Sequence, residues 1–218
     1  MEQDFAYRFD ISQSTVSRIT TTWINFLYLK LKEIPIWMPR ELVQSSMPQQ
    51  FKEKYPATRV ILDATDIYVE QPKLPKLQHM TFYNYKNDNT YKGLVGMSPN
   101  GVITFVSSLY PGSISDKELT RRHGILSFLE PGDSVMADQG FDIEEDLTLL
   151  GVHLNMPLFL SGKSQLTEKE LIATRRIPSL RIHVEGAMER MKNFHIFDRP
   201  IPAALTDIAD RIFLLVVH

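Results

Sequence analysis

The chain contains no cysteine, which excludes disulfides and every thiolate metal site. Any metal it binds must be held by carboxylate oxygens or by histidine. No apolar run approaches the roughly 18 residues that span a bilayer, and the terminal IFLLVVH is far too short. The first ten residues, MEQDFAYRFD, are acidic where a secretion signal would be basic and then apolar. The expected setting is intracellular, nuclear if the source is eukaryotic, with no membrane partner. Repeats and low-complexity tracts are missing too. What is there is ordinary for a globular protein: 43% apolar and 23% charged residues in a chain of 218, enough for one sizeable core and a smaller module.

The net charge of −2 is spread unevenly. Residues 1–60 carry eight Lys/Arg against six Asp/Glu, 61–145 carry seven against twelve, and 146–218 carry nine against eight. Acidity therefore concentrates in the middle, between two mildly basic flanks. A carboxylate site addressed to a polyanion has that distribution, and so does a solvated acidic surface.

Residues 1–33 read as two helices, DFAYRF and QSTVSRITTTWINFLYLKLKE, broken at Asp10-Ile11-Ser12. The Ser12 hydroxyl can accept a free backbone N–H at the second helix's start. Val16, Ile19, Trp23, Phe26 and Leu27 recur at spacings of three and four, so that helix is amphipathic, with Val16 and Ile19 expected to lock it in place. The offsets match a helix-turn-helix: small Ala6 allows close approach, and Asp10 can adopt the left-handed geometry of the turn. Gln13, Ser14, Thr15, Ser17 and Arg18 would then face a DNA major groove. A plain helical hairpin with a polar outer face fits the same pattern.

Residues 34–59 carry Pro35, Pro39, Pro48 and Pro56 and read as a connecting segment with one short helix. From 60 to 218 strand and helix patterns alternate. VILDATDIYVE is a strand, HMTFYNYKND and NTYKGLVGMS form a hairpin, and GVITFVSSLY follows a turn at Ser98-Pro99-Asn100-Gly101. SDKELTRRHGILSFL reads as a helix capped by Ser115, and PGDSVMADQG holds a short buried strand. Helices are expected over 143–150, 167–174, 180–193 and 203–217. The fold class is α/β, a mixed sheet flanked by helices behind a small all-α segment.

Alternation along VILDATDIYVE separates its two aspartates. Ile61, Asp63, Thr65, Ile67 and Val69 share one face, and Leu62, Ala64, Asp66, Tyr68 and Glu70 share the other. Asp63 thus lies on the more apolar face, where a carboxylate must be paired or must hold a cation. Asp66, on the more polar face, needs no special account. Asp138 follows a buried strand just before Gln139-Gly140, at the end of a strand where α/β proteins gather ligands; a simple turn would also use an aspartate there. Glu185 borders the apolar stripe Val184, Met188, Met191. It is open to two readings, a site carboxylate or an i,i+4 partner of Arg181, and Glu189 rivals it.

Several motifs together resemble one known family. DFAYRFDISQSTVSRI, VILDATDIYVEQP, FYNYKNDNTYKGLVGMSPNGVITFVSSLYPGSISDKEL, SVMADQGFDI and LRIHVEGAMERMKNFHIFDR occur in the order and spacing of the DDE-superfamily endonuclease transposases. Within these the chain is similar to the Harbinger-like branch. The resemblance implies an RNase H-like fold, truncated at its C-terminus, behind a partial helix-turn-helix. It implies a nuclease working through divalent Mg²⁺ or Mn²⁺, with Asp63, Asp138 and Glu185 as the catalytic and metal-binding triad and Asp116 as a further metal-site residue. Implied partners are DNA (transposon ends or a genomic target), a separate DNA-binding protein, and a second copy in a homodimer. Lys73, Lys76, Lys86 and Lys92, interleaved with Phe82, Tyr83, Tyr85 and Tyr91, would line the DNA path. Two positions depart from the family pattern: Gln139 and Gly186 stand where basic residues are usual. The alternative reading is therefore a domesticated remnant that binds DNA or recruits partners without cutting.

Overall fold

The computed structural model describes residues 2–138, 140–156, 186 and 188–217. Its centre is a seven-stranded mixed sheet whose main path runs β2-β3-β1-β6-β7. The strands are β1 (Thr58–Tyr68), β2 (Phe82–Tyr83), β3 (Asp88–Met97), β4 (Ile103–Val106), β5 (Tyr110–Pro111), β6 (Ser134–Met136) and β7 (His153–Asn155). β1 pairs antiparallel with β3, parallel with β6, and β6 continues in parallel to β7. β4 and β5 pair with β3 off the main path. Helices cover both faces, as the RNase H-like expectation requires.

The period-two pattern of β1 becomes two separate cores. Ile61, Ile67 and Val69 pack with Val95, Met97 and Met136 against Phe51, Met188, Met191 and Phe213 on one face. Val60 and Leu62 pack with Leu94 and Val135 against Leu119, Ile125, Phe141 and Leu147 on the other. Each side chain on the strand is thus assigned to one core by its parity alone.

Local signals hold at several points. Asp10 is left-handed, at φ 50°, and the Ser12 hydroxyl accepts the Thr15 N–H at 3.1 Å. These set the break between α1 (Glu2–Phe9) and α2 (Gln13–Leu31), after which come the short helices α3 (Arg40–Ser46), α4 (Gln49–Lys54) and α5 (Pro75–Thr81). Ser115 caps α6 (Asp116–Arg122) by accepting the Glu118 N–H at 3.2 Å. Gly124, at φ 69°, stops that helix early and leaves only a 3₁₀ turn at Ile125–Phe128.

Other expectations are corrected. The first arm of the expected hairpin is mostly not strand: His79–Thr81 end a helix that begins at Pro75, only Phe82–Tyr83 pairs with Asp88 and Asn89, and residues 84–87 form the turn. Pro75 opens that helix with a φ already suited to it, and the Thr81 hydroxyl donates back to Leu77 O at 2.9 Å. The stripe expected to pack α2 is mainly exposed. Val16 is buried, but Ile19, Trp23, Phe26 and Leu27 are 41–57% exposed. The helix is held instead along its Asn25–Tyr28 side by the C-terminal helix Ala209–Val217, where Arg211 donates to Asn25 and lies 5.9 Å from the Tyr28 ring.

At the amino ends of β1 and β6 sits a buried charge cluster that the sequence patterns did not reveal. Asp133, 3% exposed, accepts from Arg40 Nε at 3.0 Å and lies 3.6 Å from Arg59 Nε. The Arg59 guanidinium stacks 4.8 Å from the Trp37 ring. The connecting segment is thereby tied to the sheet. Among the described residues no helix is long and apolar enough to cross a membrane.

Candidate active site

β1 and β6 run parallel with Ile61 opposite Met136. Asp63 stands two residues beyond Ile61, within β1, and Asp138 two beyond Met136, in the loop that follows β6. Alternation sets Asp63 on the face of Ile61, the face beneath Met188 and Met191. Asp63 is half-buried, and its Oδ1 accepts its neighbour's N–H, from Ala64, at 3.1 Å. Asp138 is exposed in the loop after β6, and its carbonyl accepts the Phe141 N–H at 3.1 Å. Phe141 is 1% exposed, so the loop is anchored in the opposite core.

Glu185 lies outside the described residues. The helical residues 188–192 that follow it are described: Met188 and Met191 are buried with Ile61 and Met136, while Glu189 is exposed. Gly186 is helical, and a Cβ added there would meet nothing within 4 Å, so a long basic side chain would fit where this chain has none. Gln139, Arg175, Arg176 and Arg181 also lie outside the described residues.

Asp66 needs more explanation than its position on the polar face suggests. It is half-buried, and its Oδ1 is buried with no hydrogen-bond partner. Burial pushes its carboxyl above the ordinary aspartate range, against the pull of nearby Lys92. Lys92 is its cross-strand partner and is only 5% exposed, which removes this lysine from the expected DNA path. Its ammonium donates to Ile114 O at 3.0 Å and to Asp116 Oδ1 at 3.1 Å, and lies 4.7 Å from the Tyr83 ring. Lys73, Lys76 and Lys86 are exposed, as is Tyr85, with the Lys86 ammonium 5.3 Å from its ring. Sequence reasoning missed the Asp66–Lys92–Asp116 grouping; the strand register was the signal that would have found it.

The donors fit a hard divalent cation in kind. They are carboxylate oxygens on β1 and on the loop after β6, in a protein without thiolates. Among the described residues no three His, Asp or Glu side chains form a set that could hold a metal; of the three implied carboxylates Asp63 and Asp138 lie among them and Glu185 does not.

In the N-terminal hairpin, Gln13, Ser14 and Arg18 are exposed at the start of α2, while Thr15 and Ser17 are half-buried. Gln13 donates to Glu2 at 3.4 Å, and the Ser12 hydroxyl bonds those of Ser14 and Thr15 at 2.9 and 2.8 Å. Most of this polar surface is thus already ordered.

Comparison with known proteins bears on both parts of the chain. A family model described as DDE superfamily endonuclease matches residues 62–218, and one described as the helix-turn-helix of DDE superfamily endonuclease matches residues 1–33. Neither the curated proteins nor the solved structures include a match.

Proposed function

From the premise that the chain belongs to the DDE superfamily endonucleases, we propose that it is a metal-dependent nuclease that hydrolyses DNA phosphodiester bonds. The observation that supports this reading is that Asp63 follows Ile61 by two residues and Asp138 follows its parallel partner Met136 by two. Asp63, Asp138 and Glu185 would hold Mg²⁺ or Mn²⁺. Bound there, a metal pair supplies an activated attacking water and charge stabilisation at the leaving oxygen. The half-buried Asp63, fixed by the Ala64 N–H, is the rigid donor. Asp138, exposed in the loop after β6, is the donor nearer to solvent. Gln13, Ser14, Thr15, Ser17 and Arg18 would contact DNA at the start of α2, with exposed Gln13, Ser14 and Arg18 reaching furthest.

The test is a nicking assay on supercoiled DNA with Mg²⁺ or Mn²⁺, using Asp138→Asn as control. Metal-dependent nicking by the natural chain that disappears in the variant is expected. Cleavage surviving in Asp138→Asn, or a preference for small phosphate esters over DNA, would overturn the reading.

A second reading is favoured by Gly186, whose open surroundings lack the positive charge usual in the family. Without it, the chain would serve as a DNA-binding or recruiting module. Salt-sensitive DNA binding without any nicking would establish that alternative.

A further inference from the structure

We propose that Lys92 and Asp116 form a latch that holds Gly140, two residues beyond Asp138, making Asp116 a positioning residue for the metal site and not one of its ligands. The inference rests on the reading of Asp138 as a metal ligand.

A lysine ammonium that is almost wholly buried must be paired and hydrogen-bonded. Lys92 meets that demand with the Ile114 carbonyl, the Asp116 carboxylate and the Tyr83 ring face. It also lies between two carboxylates, with Asp66 opposite it on β1 and Asp116 at the start of α6. Asp116 is therefore fixed through Oδ1 from the sheet and through its own backbone from the Ser115-capped helix.

The other oxygen of Asp116 meets the turn after β6. A Cβ built on Gly140 would collide with Asp116 Oδ2. The close approach of the carboxylate makes glycine the residue that fits. Gly140 is two residues beyond Asp138. On its far side the turn is pinned by Phe141 in the core. Asp138 is thus held between an apolar anchor and a charged one.

A ligand role fits Asp116 poorly. Its Oδ1 already accepts from an ammonium at 3.1 Å, and a divalent cation on the same carboxylate would be repelled by that charge. Residues that orient metal ligands from behind typically change metal affinity by about 10–100-fold when altered.

The experiment is Mn²⁺ titration followed by electron paramagnetic resonance, with hydrogen exchange at the amides of 140–142 and a thermal melt for each variant. Gly140→Ala should weaken Mn²⁺ binding about tenfold or more in the natural background. It should weaken it much less in an Asp116→Ala background, where the collision is gone. Asp116→Asn, which keeps an acceptor for Lys92, should retain most of the Mn²⁺ affinity, whereas Asp138→Asn should lose it. Exchange at 140–142 should rise in Asp116→Ala and stay low in Asp116→Asn, with or without metal.

Equal losses from Gly140→Ala in both backgrounds, unchanged exchange in Asp116→Ala, or an Asp116→Asn as damaging as Asp138→Asn would each overturn the latch. Unchanged Mn²⁺ binding in Asp138→Asn would instead overturn the reading of the site, and the exchange measurement would still report on the latch.

Discussion

The sheet and the N-terminal hairpin make opposite use of similar apolar patterns. In the sheet, alternation along β1 sends Ile61 into one core and Leu62 into the other, and both are about 1% exposed. In α2, a regular stripe at spacings of three and four leaves Trp23 57% exposed and Phe26 49% exposed. Periodicity says which residues share a face; it does not say that anything covers that face. A central strand is covered on both sides by construction, because its neighbours carry helices above and below. A helix outside the sheet is covered only where a partner reaches it, here along the Asn25–Tyr28 side by the helix Ala209–Val217.

The contrast can be broken or sharpened by substitution. Phe213, fully buried in the core above Asp63's face, should cost about 3–5 kcal/mol when replaced by alanine, read from denaturant unfolding. Ser115→Ala removes the α6 cap and should cost about 1 kcal/mol; Ser12→Ala, the matching change in the open hairpin, should cost no more than that. Trp23→Gln should change stability by less than about 0.5 kcal/mol. A loss approaching that of Phe213→Ala would mean that the α2 stripe is buried in solution.

Asp66 gives a pH-dependent test on the sheet. Its folded-state pKa lies above the ordinary value, so it favours the folded state most when protonated in both states. That contribution fades as pH rises from the ordinary aspartate range through the raised value. The charges that bear on it are Lys92, Lys86, Asp116 and Lys192. Asp66→Asn should therefore raise the melting temperature at neutral pH relative to the natural chain, with the gain disappearing in acid. A gain that persists unchanged in acid would show that burial of the charge is not its source.

Much of the fold was legible because it is written in local chemistry. Ser12, Ser115 and the left-handed Asp10 each answer to a neighbour within four residues. The separation of Asp63 from Asp66 followed from strand parity alone. What was not legible depends on distant pairing. Lys92 looked like one of several surface lysines until the β1–β3 register set it opposite Asp66 and beneath Tyr83. β7 is three residues long, too short for periodicity to reveal. The Pro75–Thr81 helix was hidden by β-favouring residues at its end. Of the site, Asp63 lies on β1 and Asp138 two residues beyond the end of its parallel neighbour β6, and Glu185 lies outside the described residues.

The parallel pairing of β1 with β6 also has a consequence in time. β1 and β3 are close in sequence and antiparallel, whereas Ile61 reaches Met136 only after the intervening hairpin, strands and helix have been traversed. Closing the longer loop carries more entropy, about 0.6 kcal/mol for each doubling of length, and non-local pairings of this kind slow folding. The parallel pairing of β1 with β6 therefore closes late, after the antiparallel ribbon already exists. A nascent chain would carry Asp63 on a formed ribbon well before the strand that precedes Asp138 docks beside it, so the proposed metal site is among the last parts of this molecule to assemble.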